Sequence, residues 1–126
     1  MKLRLSVAIG LIVLSVAFAL YCVLRVNAAT AELEQAIETA MAAALEQSPA
    51  WGPATDEVLR IWQRERAFLH ILLPHTNLNE LEWAIGALPR FFELGDHELF
   101  IEHSVRGLQC LNTIREMERP SLGNIF

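Results

Sequence analysis

Hydrophobic and polar positions divide this chain into one unbroken apolar run followed by several periodic stretches. Leu5 to Leu24 is a run of 20 residues without a charge, twelve of them Leu, Ile, Val or Phe. A bilayer core about 30 Å thick takes roughly 20 apolar residues to cross as a helix, so the run is predicted to be a transmembrane helix. From Thr30 the pattern becomes periodic. Leu33, Ala36, Ile37, Ala40, Met41, Ala44 and Leu45 recur at intervals of three and four, with Glu32, Gln35, Glu38 and Glu46 on other faces, which is the stripe of an amphipathic helix. Neither Gly nor Pro falls between Gly10 and Pro49, so nothing separates the two segments. A helix from Leu5 to Gln47 would be about 65 Å long at the α-helical rise.

Three further helices are expected. Ser48-Pro49 and Trp51-Gly52-Pro53 punctuate the chain, and the second helix begins as early as Pro49 or is capped by Thr55 with Asp56 and Glu57 behind it. Val58, Ile61, Trp62, Leu69 and Leu72 mark its inner side, Asp56 and Arg60 are spaced to pair, and Pro74 ends it. His75-Thr76-Asn77 reads as a connection, with Asn77 capping a helix through Leu78, Leu81, Ala84, Ile85 and Leu88 that Pro89 should kink or divide. Gly95 closes it, and Asp96 caps a last helix through Leu99, Ile101, Val105, Leu108, Leu111 and Ile114, where Glu102 and Arg106 are spaced to pair. Short connections make neighbours antiparallel. The expected fold is all-α: an N-terminal transmembrane helix (residues 1–25) continuous with the first helix of a small antiparallel bundle (residues 26–126).

A cleaved secretory signal is the competing reading of the apolar run, because Ala17-Phe18-Ala19 and Val26-Asn27-Ala28 look like small-residue cleavage sites. Signal cores span about 7–15 residues, so the length favours a retained anchor. Tyr21 stands where a lipoprotein site ahead of Cys22 needs a small residue. Lys2 and Arg4 precede the run and only Arg25 follows closely, which places the N-terminus in the cytoplasm and the domain outside the cell membrane.

Charge narrows the function classes. The net charge of −5 includes the cations Lys2, Arg4 and Arg25, so residues 26–126 carry −8 from seven Arg and fifteen acids. That is no nucleic-acid surface, which needs clustered cations, and anionic headgroups would repel such a domain. Cys22 lies in the apolar run and Cys110 stands alone in the domain, which leaves no internal disulfide. Beside Leu108 and Leu111, Cys110 is expected to be buried and inert.

No catalytic pattern emerges. His97 and His103 lie six apart, about 240° round a helix, whereas the zinc-protease motif needs two His at i and i+4. His70 and His75 straddle Pro74. Glu98 with Glu102 and Glu34 with Glu38 read as solvated acidic faces, and no phosphate loop or nucleophile–base signature is present. The chain is expected to be no enzyme and to use no cofactor or metal. Trp51, Trp62, Trp83, Phe91 and Phe92 are expected mainly in the core, Trp62 most clearly, with a partner groove as the other reading. The apolar tail from Pro120 to Phe126 either folds back on the bundle or, through Leu122, Asn124, Ile125 and Phe126, forms a strip for a partner.

Trp51, Trp62, the loop Leu73-Pro74-His75-Thr76-Asn77-Leu78-Asn79-Glu80-Leu81, the Gly95-Asp96 junction and the stretch from Glu116 through Asn124-Ile125-Phe126 carry a resemblance over nearly the whole chain. In these features it resembles a family of short bacterial single-pass membrane proteins catalogued as a domain of unknown function, with one N-terminal transmembrane helix, a helical outer domain and an Asn-Ile-Phe type of ending. Pro89 and the absence of Lys beyond Lys2 depart from that pattern. The resemblance implies an accessory protein held in the membrane by its first helix and binding another membrane or envelope protein. The alternative expectation is an outer ligand- or metal-sensing domain in which His70, His75, His97 and His103 converge.

Overall fold

A single helix, α1 (Lys2–Leu45), carries the apolar run into the amphipathic stretch without a break. The computed structural model describes the backbone of residues 1–125 and the side chains through Glu116. From Lys2 to Tyr21 every side chain is exposed; partial burial begins at Cys22 and Val23, and full burial starts with Val26 and continues through Ala29, Thr30, Leu33, Ile37, Ala40, Ala43 and Ala44. α1 is thus one rod whose first half is long and apolar enough to cross a membrane and whose second half is a bundle helix. Thr30 is tolerated in the core because its hydroxyl donates to the Val26 carbonyl at 2.9 Å. The rod ends in a Schellman motif: Ser48 N–H donates to the Ala43 carbonyl, Gln47 N–H donates to that of Ala44, and Gln47 takes a left-handed φ of 53°.

α2 (Trp51–Leu72) starts later than Pro49 and earlier than Thr55. Pro53 fits within its first turn, where backbone N–H groups have no intrahelical acceptor. Thr55 is no cap: it sits one turn inside, buried, with its hydroxyl donating to the Trp51 carbonyl at 2.8 Å. Arg60 bonds Glu57 instead of the expected Asp56. The chain then turns through Leu73 in an extended conformation and Pro74, whose ring disfavours a helical residue before it. α3 (His75–Leu94) follows at once, so His75-Thr76-Asn77 is its first turn, and Pro74 occupies the cap position expected for Asn77.

Pro89 does not divide α3, which continues helical to Leu94. Ile85 and Leu88 before it are buried, and that packing offsets the lost hydrogen bond. Gly95 (φ 69°) closes the helix as expected, its N–H donating to the Phe92 carbonyl and that of Asp96 to Phe91. Asp96 then caps α4 (His97–Ile125), accepting from Leu99 N–H at 3.1 Å.

Each helix packs on the next, and α4 closes back on α1, which sets α1 diagonal to α3 and α2 diagonal to α4. The result is the expected all-α, up-and-down bundle. Its core joins Leu33 and Ile37 of α1, Val58 and Leu69 of α2, Leu78, Leu81, Ile85 and Leu88 of α3, and Phe100, Leu111 and Ile114 of α4. In α4 the inner line runs through Phe100, Ser104 and Gly107, while Leu99 and Val105 face outward. Ion pairs fix the registers: Arg64 with Glu32, Arg115 with Glu34, and Arg66 with Glu82. Arg25 joins α1 to α2 by reaching the buried Glu65 at 3.4 Å and stacking its guanidinium 4.3 Å from the Phe68 ring centroid.

Candidate binding groove between α3 and α4

Two helical faces that flank the core stripe meet at the surface. On α3, Asn77, Asn79, Glu80 and Trp83 lie beside the buried line of Leu78, Leu81 and Ile85. On α4, Arg106, Gln109, Cys110 and Thr113 recur at i, i+3, i+4 and i+7, which keeps them on one face. Between them lies a groove of 720 Å³. Its lining mixes carboxamides, a hydroxyl, one acid, one cation and an indole, a set able to hydrogen-bond a polypeptide backbone while offering a flat apolar platform.

Trp83 is that platform. It is 61% exposed, contrary to the expected core role, with the Arg106 guanidinium carbon 5.8 Å from its ring centroid. Arg106 takes this position instead of pairing with Glu102. His103 completes the cluster, its ring 5.2 Å from that of Trp83 and 4.7 Å from that of Phe91. Trp and Arg are the residue types that most often dominate binding at protein interfaces.

Cys110 adds little reactivity. Its Sγ lies 3.9 Å from Glu80 Oε2, and burial foremost, then the neighbouring carboxylate, pushes the thiol pKa up. A thiol held protonated beside an acid is a poor nucleophile. It is half-buried against the core, not enclosed by it.

Of the remaining aromatic residues expected in the core, Phe91 is partly buried and Phe92 is 39% exposed, contrary to expectation, while the other two tryptophans do go inward. Trp62 is buried, and so is Trp51, whose ring stacks on His97 at 4.3 Å and meets Phe92 and Phe100 edge-on. The four histidines do not converge. His70 and His75 lie 5.8 Å apart at one end of α3, His97 lies beyond its other end, about 30 Å away by helical rise, and His103 sits with Trp83. Among the described residues no group of three or more His, Cys, Asp or Glu is placed to hold a metal ion. The expected tail strip, Leu122, Asn124, Ile125 and Phe126, lies outside the described residues.

The groove escaped sequence reading because its residues differ in type and come from two helices. One signal was available: Trp83 is two residues from both Leu81 and Ile85, about 200° round the helix from each, and so lies off the buried stripe. Compared with known proteins, the chain matches no family model, no curated protein and no solved structure.

Proposed function

We propose that this protein is a single-pass membrane-anchored interaction module, an accessory to another membrane or envelope protein, with its N-terminus in the cytoplasm and its bundle on the outer side. The observation that carries the reading is the division of α1: side chains from Lys2 to Tyr21 are all exposed, yet the helix runs unbroken into the core. An isolated helix bearing twenty uncharged residues finds a stable environment in lipid, where its backbone is fully bonded. The bundle's contribution is the α3–α4 groove, with Trp83 and Arg106 as anchors for a polypeptide segment of the partner. Membership of the short bacterial single-pass family belongs to the same proposal, with Leu122, Asn124, Ile125 and Phe126 as a second contact.

The test is crosslinking of tagged full-length protein in native membranes, with partners identified by mass spectrometry. A partner captured by the natural chain and lost from Trp83→Ala is expected. Capture indifferent to Trp83→Ala and Arg106→Ala overturns the groove as the contact, and a chain lacking Ser121 to Phe126 reports on the tail separately. Recovery of the whole chain in the soluble fraction overturns the anchor.

A further inference from the structure

Beyond Arg25, the longest stretch without Asp, Glu, Lys or Arg is residues 67–79, which forms the end of α2, the turn and the start of α3. Only His70 and His75 within it can take a charge. At its centre Ile71 is 80% exposed, Leu72 and Pro74 are exposed and Leu73 is half-buried. An uncovered Ile-Leu-Leu-Pro turn is unusual on a domain that otherwise carries −8. At the bundle's other end the most exposed apolar side chains, Leu45 and Leu94, instead stand beside Glu46 and Glu93 in the chain.

Register places this turn. α2 runs antiparallel to α1, and Arg64 of α2 pairs with Glu32 of α1. Equal helical rises counted from that pair bring Leu72 level with Leu24, and counted from the Arg25–Phe68 contact they bring it level with Tyr21. The apolar turn therefore stands beside the last turn of the uncharged run. Burial along α1 agrees: Cys22 and Val23 are already half-buried, whereas Lys2 to Tyr21 are exposed. Arg25 fastens the junction, its guanidinium bonded to Tyr21 Oη at 3.2 Å and stacked on Phe68 of α2. Tyr and Arg at this position match the composition of a membrane–water interface.

We propose that the α2–α3 turn is a second lipid contact, an inference that rests on the membrane reading of α1. Ile71, Leu72 and Leu73 seat at the boundary of headgroups and acyl chains in the leaflet through which α1 emerges. The occupant of this apolar patch is the lipid surface itself, because the patch is continuous with the apolar band of α1 and level with its end. Attachment at two points, the α1 rod and the turn beside it, sets the tilt of the bundle. The acidic body stands off the bilayer while the uncharged α2–α3 turn touches it.

Single environment-sensitive fluorophores on cysteine test this in the full chain, with Cys22 and Cys110 replaced by Ser and the protein reconstituted in phosphatidylcholine vesicles. In parallel preparations a fraction of the lipid carries a nitroxide quencher either near the top of its acyl chains, the level of the turn, or near their ends, the level of residue 13. Labels are placed by Ile71→Cys, by Val13→Cys in the apolar run and by Leu94→Cys at the far end. The Ile71 label is expected to lose emission to the shallow quencher to a degree comparable with Val13 to the deep one, while Leu94 keeps its emission with both. Quenching at Val13 with Ile71 as bright as Leu94 overturns the turn as a lipid contact and leaves it in water or under protein. A bright label at Val13 overturns the membrane reading itself and this inference with it.

Discussion

Three glycine-to-alanine substitutions should separate, because a methyl group added at each site meets a different environment. Gly107 is buried in α4, and a Cβ there would lie 3.5 Å from Ile37 Cδ1 and 4.0 Å from Ala84 Cβ, ordinary contact distances. Gly107→Ala thus gains about 0.5–1 kcal/mol from reduced backbone freedom and up to about 0.8 kcal/mol from a buried carbon. Gly86, exposed on α3, has nothing within 4 Å of such a carbon, so Gly86→Ala gains the backbone term alone. At Gly52 the added carbon would lie 2.8 Å from Phe92 Cζ, inside contact distance. The 39% exposed ring must shift, which disturbs the edge-on contact it makes with Trp51 at 5.0 Å. Overpacking of about 1–3 kcal/mol then outweighs the backbone gain. Thermal unfolding of the full chain in detergent micelles, followed by circular dichroism, reads the difference, at roughly 4–8 °C per kcal/mol for a domain of this size. Melting temperatures are expected to fall in the order Gly107→Ala, Gly86→Ala, natural chain, Gly52→Ala. Gly107→Ala melting at or below the natural chain, or Gly52→Ala above it, refutes the packing described.

Phe100→Ala empties the centre of the core, where Phe100 is fully buried against Trp51, and should cost about 3–5 kcal/mol in denaturant unfolding. Gln47→Gly relieves a left-handed residue at the end of α1 and should raise stability by about 1 kcal/mol in the same assay, the left-handed penalty exceeding glycine's added freedom when unfolded. In a Cys22→Ser background, alkylation of Cys110 should accelerate only at a pH above that of a free thiol, and Glu80→Gln should move the profile down. Because the folded pKa is raised above its ordinary 9.0, the group's contribution to stability is complete below pH 9.0 and is lost as pH rises through the folded value.

The periodic stripes and the glycine-aspartate junction were legible because each is a local signal with a single outcome. Leu33, Ile37 and Ala40 repeat at helical spacing and are buried. Gly95 and Asp96 satisfy adjacent helix ends with their own backbone and side chain. The misread positions are those where local preference met tertiary packing. Thr55 and Asn77 have cap chemistry, but a buried Thr is equally satisfied by the carbonyl four residues back, and Pro74 already shaped the turn ahead of Asn77. Pro89 breaks isolated helices, yet here it follows buried Ile85 and Leu88. The groove required knowing that α3 and α4 are neighbours with Asn77 and Thr113 at the same level, a relation that no spacing within either helix encodes.

The unbroken backbone of α1 also makes direction heritable along the molecule. Each residue advances a helix by about 100°, so with no hinge between Leu24 and Val26 the azimuth of the apolar half fixes the compass bearing of the bundle. A neighbour that grips one side of the apolar half therefore aims the α3–α4 groove. One residue inserted near Val26 would turn the groove by about 100° while lifting it only about 1.5 Å. The protein is keyed like a shaft, and its two halves can be mis-timed without either being unfolded.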